Sequence, residues 1–151
     1  MKKDLALYIL MRNDLASMNA GRAMAQASHA SNAFIHKFGN EPDVKSWKRQ
    51  TTQGFGTAIV LSADEMQIKT IDCKLQLARF YTNDRLIDPE YSYIVQDEFI
   101  RLIDSEKHVL EPIRKDDGTW IAWREEMTCF YSFGDRNDTA FKEQFSELKL
   151  F

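Results

Sequence analysis

The sequence predicts an α/β fold: a three-layer-like arrangement in which helices flank a mixed four-stranded sheet, with an inserted β-hairpin. Three observations carry this expectation. Residues 5–12 (LALYILMR) are an almost unbroken apolar run, the pattern of a strand covered on both faces. An alanine-rich helical segment, a second apolar strand and an amphipathic helix then follow in alternation. The second half reads as β-prone runs separated by turn residues. With 151 residues, 44% apolar and 28% charged, the chain matches one globular domain spanning 1–151.

The elements can be justified in order. A polar loop, residues 13–20, leads through Gly21 into a helix that should end near Phe38, where Gly39, Asn40 and Pro42 act as stop signals. Within it Ala23, Ala27, Ala30 and Phe34 form an apolar stripe. Arg22, Gln26 and His29, spaced four and three apart, share a neighbouring side. One face packs and another presents chemistry. Residues 43–53 are polar and basic around Trp47 and read as a short helix or ordered loop. Their Lys45, Lys48 and Arg49 suit a phosphate track and suit a solvated helix face equally well.

Residues 56–61 (GTAIVL) read as the second strand. Residues 62–65 (SADE) fit a capping box opening a helix with Ile68, Ile71, Leu75 and Ala78 on its packed side and Cys73 as filler. Beyond a turn containing Pro89, residues 91–95 read as strand. Residues 109–115 (VLEPIRK) and 119–124 (TWIAWR), joined by Asp116, Asp117 and Gly118, predict a hairpin whose first arm lies at an edge because of Pro112. Residues 127–133 (MTCFYSF) predict a buried strand closed by Gly134 and Asp135, and 136–151 a terminal helix. Trp120, Trp123 and Phe130 could stack on bases, although their spacing is more simply that of strand packing.

A net charge of −3 and a pI near 5.6 argue against a generally basic nucleic-acid coat. The charge is nevertheless uneven. Residues 1–50 carry eight Lys or Arg against four Asp or Glu, so a polyanion should meet this third. Two cysteines, Cys73 and Cys129, are too few and too far apart for a metal cluster or a disulfide framework, so no metal is expected and a reducing, cytoplasmic setting is. The opening residues lack a cleavage site and are interrupted by Asp4, and no apolar stretch approaches the roughly 20 residues of a spanning helix, so no membrane association is expected.

Residues 7–30, LYILMRNDLASMNAGRAMAQASHA, resemble the signature of the archaeal and eukaryotic (type 2) peptidyl-tRNA hydrolases: a strand ending in Arg-x-Asp-Leu, then Met-x-x-Gly-Lys-x-Ala-x-Gln-x-x-His-Ala. Arg12, Asp14, Leu15, Met18, Gly21, Ala23, Gln26, His29 and Ala30 match it. The order and length of the next strand and helix, to about Tyr81, are similar to the family's as well. The resemblance implies hydrolysis of the ester joining a peptide to the terminal ribose of tRNA, with no cofactor. It also allows a homodimer.

It implies a site in three parts. Arg22 stands at the family's lysine and can act only as a cation and donor, because guanidinium stays protonated. Asp88, with Ser92 four residues on, takes the place of the family's Asp-Ala-Gly-x-Thr segment, with Asp97 as the alternative acid. Thr128 begins a stretch similar to the family's last strand. On this reading Arg22, Asp88, Ser92 and Thr128 are catalytic, and Arg12, Asn19, Gln26, His29, Lys45, Lys48 and Arg49 bind substrate. Alongside that, His29 among alanines reads as a packing residue, and Gln26 and Asp14 as braces of the loop. Residues from about 96 to 126 are an insertion relative to the family. The alternative function is a non-catalytic tRNA-, nucleotide- or protein-binding protein on the same scaffold, which the arginine and the altered aspartate segment favour.

Overall fold

The computed structural model describes residues 1–95, 102–103, 109–110 and 112–151. Strand β1 (Leu5–Arg12) is central and buried along its whole length. Helices α1 (Ala20–Phe38) and α2 (Pro42–Lys48) connect it to β2 (Ala58–Ala63), which pairs with it in parallel. Helix α3 (Glu65–Leu77) leads to the long β3 (Asn83–Val95), and short strands β4 (Leu102–Ile103) and β5 (Val109–Leu110) pair with each other. Strand β6 (Ile113–Arg114) turns into β7 (Trp120–Asp135), and a short α4 (Thr139–Glu143) precedes β8 (Lys149–Leu150).

The mixed sheet runs β3-β7-β1-β2-β8, with β6 added to β7, so it has six strands rather than four. It separates two cores because successive side chains of β1 point to opposite faces. Leu5, Leu7, Ile9 and Met11 pack under α1 and α2 with Phe34, Val44 and Trp47. Ala6, Tyr8 and Leu10 pack under α3 and α4 with Ile68, Leu75, Phe141 and Phe145. Tyr8 stacks on Phe145 at 4.4 Å between centroids. Gly134 is required on that side: a Cβ there would lie 2.8 Å from the Phe141 ring.

Several expectations need correction. Capping at α3 involves Asp64 and Gln67, which exchange side-chain and backbone hydrogen bonds, not Ser62 and Glu65. Ser62 remains in β2, where its hydroxyl accepts from Asn13. Ala78 is the exposed C-cap of α3 and not part of its packed side. The Pro89 turn is a bulge inside β3, where a residue without an N–H costs no ladder bond. The hairpin turn exists, with Gly118 at φ 85°, but its second arm and the strand from Met127 are one 16-residue strand, β7. Within the insertion, residues 120–126 prolong β7, β6 pairs with β7, and β4 and β5 pair with each other. Residues 96–101, 104–108 and 111, Asp97 among them, lie outside the described residues. The terminal helix is five residues long, and the chain then returns as edge strand β8 beside β2. Phe130 is buried and Trp120 half-buried, while Trp123 stays exposed.

Candidate active site

Helix α1 starts in the loop after β1. Asn19 has extended backbone, and its side-chain oxygen accepts from Arg22 N at 2.9 Å, satisfying one orphan N–H of the first turn. That engagement makes Asn19 the helix cap rather than a free substrate ligand. Arg22 then places a cation in the first turn, where the helix dipole disfavours it by a few tenths of a kcal/mol or more. Two contacts offset the conflict. Arg22 Nη1 donates to the Ser92 carbonyl at 2.5 Å, and the guanidinium lies 5.7 Å from the centre of the Tyr91 ring. The conflict at the helix start is thus compensated within the chain.

One turn deeper lies Gln26, buried in the packed stripe with Ala23, Ala30 and Phe34 and not on a separate face. Its Nε2 donates to Asp88 Oδ2 at 2.7 Å, and its Oε1 accepts from the Thr128 hydroxyl at 2.7 Å. Asp88 Oδ1 accepts from the Glu90 backbone N–H. Two irregularities of the β3–β7 ladder aim these side chains. Leu86 faces Cys129 and Ile87 faces Met127, so Thr128 is the extra residue of a bulge on β7. A second bulge follows Asp88, which pairs with Glu126 before the ladder resumes at Tyr91 and Arg124.

Arg22, Gln26, Asp88 and Thr128 therefore meet around the first two turns of α1, with corrections to the expected roles. Arg22 and Asp88 form no ion pair, because the acid is held by Gln26. Thr128 is fully buried, so its hydroxyl reaches Gln26 and not a substrate. Ser92 meets Arg22 through its carbonyl. Its side chain points away from the helix, because the flanking Tyr91 and Tyr93 occupy the opposite side of the strand. His29 is exposed on the outer side of α1.

Arg12 is also not a free ligand. Its side chain is 5% exposed and donates to both Asp14 oxygens, to Glu126 Oε1 at 3.2 Å and to the Met127 carbonyl at 2.9 Å. Burial works against the Arg12 charge, but the carboxylates of Asp14, Glu126 and Glu65 more than restore it and raise its pKa further. Arg12 thus fastens the residue before Thr128. Glu126 also accepts from the Tyr93 hydroxyl, whose pKa burial and that hydrogen bond push up to about 12.

Lys45, Lys48 and Arg49 are far from this cluster. Arg22 and the end of α1 at Phe38 are about 24 Å apart at about 1.5 Å per residue, and α2 follows beyond Phe38. Sequence reading missed Ser17, Tyr91 and Glu126. Ser17 is a buried loop residue whose hydroxyl donates to the Ser92 carbonyl at 3.1 Å, and no local pattern distinguishes it. Among the described residues no three His, Cys, Asp or Glu side chains come together to hold a metal ion. No helix among them is long and apolar enough to cross a membrane.

A family model described as peptidyl-tRNA hydrolase PTH2 matches residues 5–86, which includes Arg22 and Gln26 and stops two residues before Asp88. No curated protein matches the chain. Among solved structures, a protein of unknown function from Agrobacterium tumefaciens strain C58 is similar in fold, with a TM-score of 0.51 at 12% identity over 99% of each chain.

Proposed function

The chain belongs to the peptidyl-tRNA hydrolase PTH2 family, and on that premise we propose that it hydrolyses the ester of peptidyl-tRNA or N-acyl-aminoacyl-tRNA, releasing peptide and free tRNA as a single 1–151 domain. The observation that carries this reading is the Asp88–Gln26 hydrogen bond, which brings an acid from 62 residues away to the helix whose first turn holds Arg22. Water attacks the ester carbonyl and passes a proton to Asp88; the bond from the carbonyl carbon to the ribose oxygen then breaks, and that oxygen takes the proton and leaves as a hydroxyl. Arg22, with the unpaired N–H groups of the first turn, stabilises the oxyanion. Asp88 orients the water with its unshared lone pairs. Thr128 acts through Gln26 and Arg12 through the Thr128 bulge, so both are positioning residues.

Gly21 supports an open helix mouth. A Cβ there would meet only Asn19 Oδ1, at 3.6 Å, among the described residues, which leaves the backbone of the first turn open to a closely approaching substrate. The second reading, binding without turnover, is favoured by one observation: Arg22 already has the Ser92 carbonyl and the Tyr91 ring as partners. Release of label from N-acyl-aminoacyl-tRNA separates the two. The hydrolase reading expects turnover that falls about 10²–10³-fold in Arg22→Ala and by a comparable factor in Asp88→Asn. Salt-dependent tRNA binding with no release at any enzyme concentration would establish the second reading instead.

A further inference from the structure

The basic residues at the end of the sheet remote from Arg22 form one surface. Lys45, Lys48 and Arg49 line an open hollow of about 650 Å³ with Gln50 and Thr51. Lys2 and Lys3 line two adjoining hollows of about 430 and 360 Å³, and all three share Gln50. The two acids in these walls are already paired, Asp43 with Lys3 and Asp4 with Arg136. Lys45, Lys48 and Arg49 pair with no acid among the described residues. On a chain of net charge −3, these walls hold five basic side chains, Lys2, Lys3, Lys45, Lys48 and Arg49, against the two acids.

The surface is held rigidly. Trp47 and Val44 are buried against β1 and α1, which turns the charged side of α2 outward. Trp47 Nε1 donates to the Thr57 carbonyl at 2.8 Å. The Gln50 amide spans Leu5 O and Thr57 N, fixing the turn after α2 to both parallel strands.

We propose that this surface binds the acceptor-stem duplex of the same tRNA whose 3′ end enters the Arg22 site, a proposal that rests on the hydrolase reading. The chemistry of the surface is that of a phosphate track: ammonium and guanidinium groups interspersed with amide and hydroxyl donors, and no unpaired acid in its walls. The span also fits. A nucleic-acid duplex carries about one charge per 1.7 Å of axis, so the roughly 24 Å from Arg22 to the far end of α1 corresponds to about fourteen phosphates. One molecule can therefore cover both places, and the remote contact adds affinity without touching the ester.

The test uses Lys45→Gln/Lys48→Gln/Arg49→Gln in the full chain. Binding of deacylated tRNA is measured across a salt series, alongside hydrolysis of full-length N-acyl-aminoacyl-tRNA and of a fragment comprising only its single-stranded 3′ tail. The salt slope should flatten by about 2–3 once three phosphates are no longer neutralised. KM for the full-length substrate should rise about tenfold or more at unchanged kcat, with fragment hydrolysis unaltered. A paired control, Lys69→Gln/Lys74→Gln on α3, should leave the slope alone. An unchanged slope and affinity in the triple variant, or equal flattening in the control, overturns the proposal. Because the slope is read without turnover, absence of hydrolysis would sink the hydrolase reading separately.

Discussion

The fully buried hydroxyl of Thr128 donates to Gln26 Oε1 at 2.7 Å, while Nε2, at the other end of the same amide, donates to Asp88 Oδ2 at 2.7 Å. With Oε1 taken, Nε2 points at the carboxylate. The flipped amide would set oxygen against oxygen, so one orientation satisfies all three groups. The site acid is therefore aimed by a residue from a different strand, through a side chain on the helix.

Thr128→Val tests that arrangement. The near-isosteric change leaves Gln26 Oε1 buried without a donor, which should cost about 1–3 kcal/mol in denaturant unfolding. In the folded variant kcat should fall with little change in KM, since the acid loses its aim while the substrate surface is intact. Wild-type stability together with wild-type kcat would rule out the positioning role.

Arg12 is a larger structural commitment. Arg12→Met leaves Asp14 without its cation and Glu126 with Arg124 alone, and because both carboxylates keep some solvent the cost should be about 3 kcal/mol, the low end for a pair broken from its buried side. Burial is the largest influence on Asp14 and pushes its pKa up, but the hydrogen bonds from Arg12 and from Glu65 N–H outweigh it and hold the group below its ordinary value. Lys69, and to a lesser degree Arg12, likewise hold Glu65 low. Folded values below unfolded ones mean stability that is full above about pH 4 and is lost as the pH falls further. A melting-temperature profile should show that acid limb, and Asp14→Asn should make it shallower. An identical limb in the variant would remove Asp14 from the account.

Arg22→Lys distinguishes charge from geometry. Lysine keeps the cation but loses the planar fork that, with one nitrogen on the Ser92 carbonyl, leaves others to meet the proposed oxyanion. Hydrolysis should persist within about tenfold of wild type, about 1.4 kcal/mol in the barrier, while Arg22→Ala should lose far more. Equal loss in both variants would assign the essential feature to guanidinium shape.

Gly21→Ala should separate stability from function. Nothing among the described residues crowds its Cβ, so the helix gains up to about 0.5–1 kcal/mol. A substrate approaching that backbone closely would be pushed back, raising KM. A variant that is more stable and equally active would show that the mouth tolerates a methyl group.

The two cysteines report on the packing beneath the site. Cys129 lies 3.8 Å from the Gln26 carbonyl, and burial pushes its thiol up to about 12, whereas Cys73 is exposed on α3. A thiol reagent should label one cysteine, Cys73, in the native protein, and the second only on unfolding. Rapid native labelling of Cys129 would mean that the β7 bulge opens.

Much of this was legible in the residues. Period and punctuation located β1, α1 and α3, because an apolar run bounded by polar loops, or an apolar stripe ending at Gly39 and Pro42, is a local property of the chain. The spacing from Arg22 to Gln26 placed both on one side of one helix for the same reason. Tertiary structure alone decided that Gln26 faces inward to join Thr128 and Asp88, that Arg12 is consumed by acids from Asp14 and Glu126, that Ser92 offers a carbonyl in place of its hydroxyl, and that Lys45, Lys48 and Arg49 lie at the other pole. The last follows from the length of α1, and the others from the register of β3 against β7 and its two bulges. A one-residue offset between strands about 40 residues apart sends a side chain to the opposite face, and nothing local in the sequence records it.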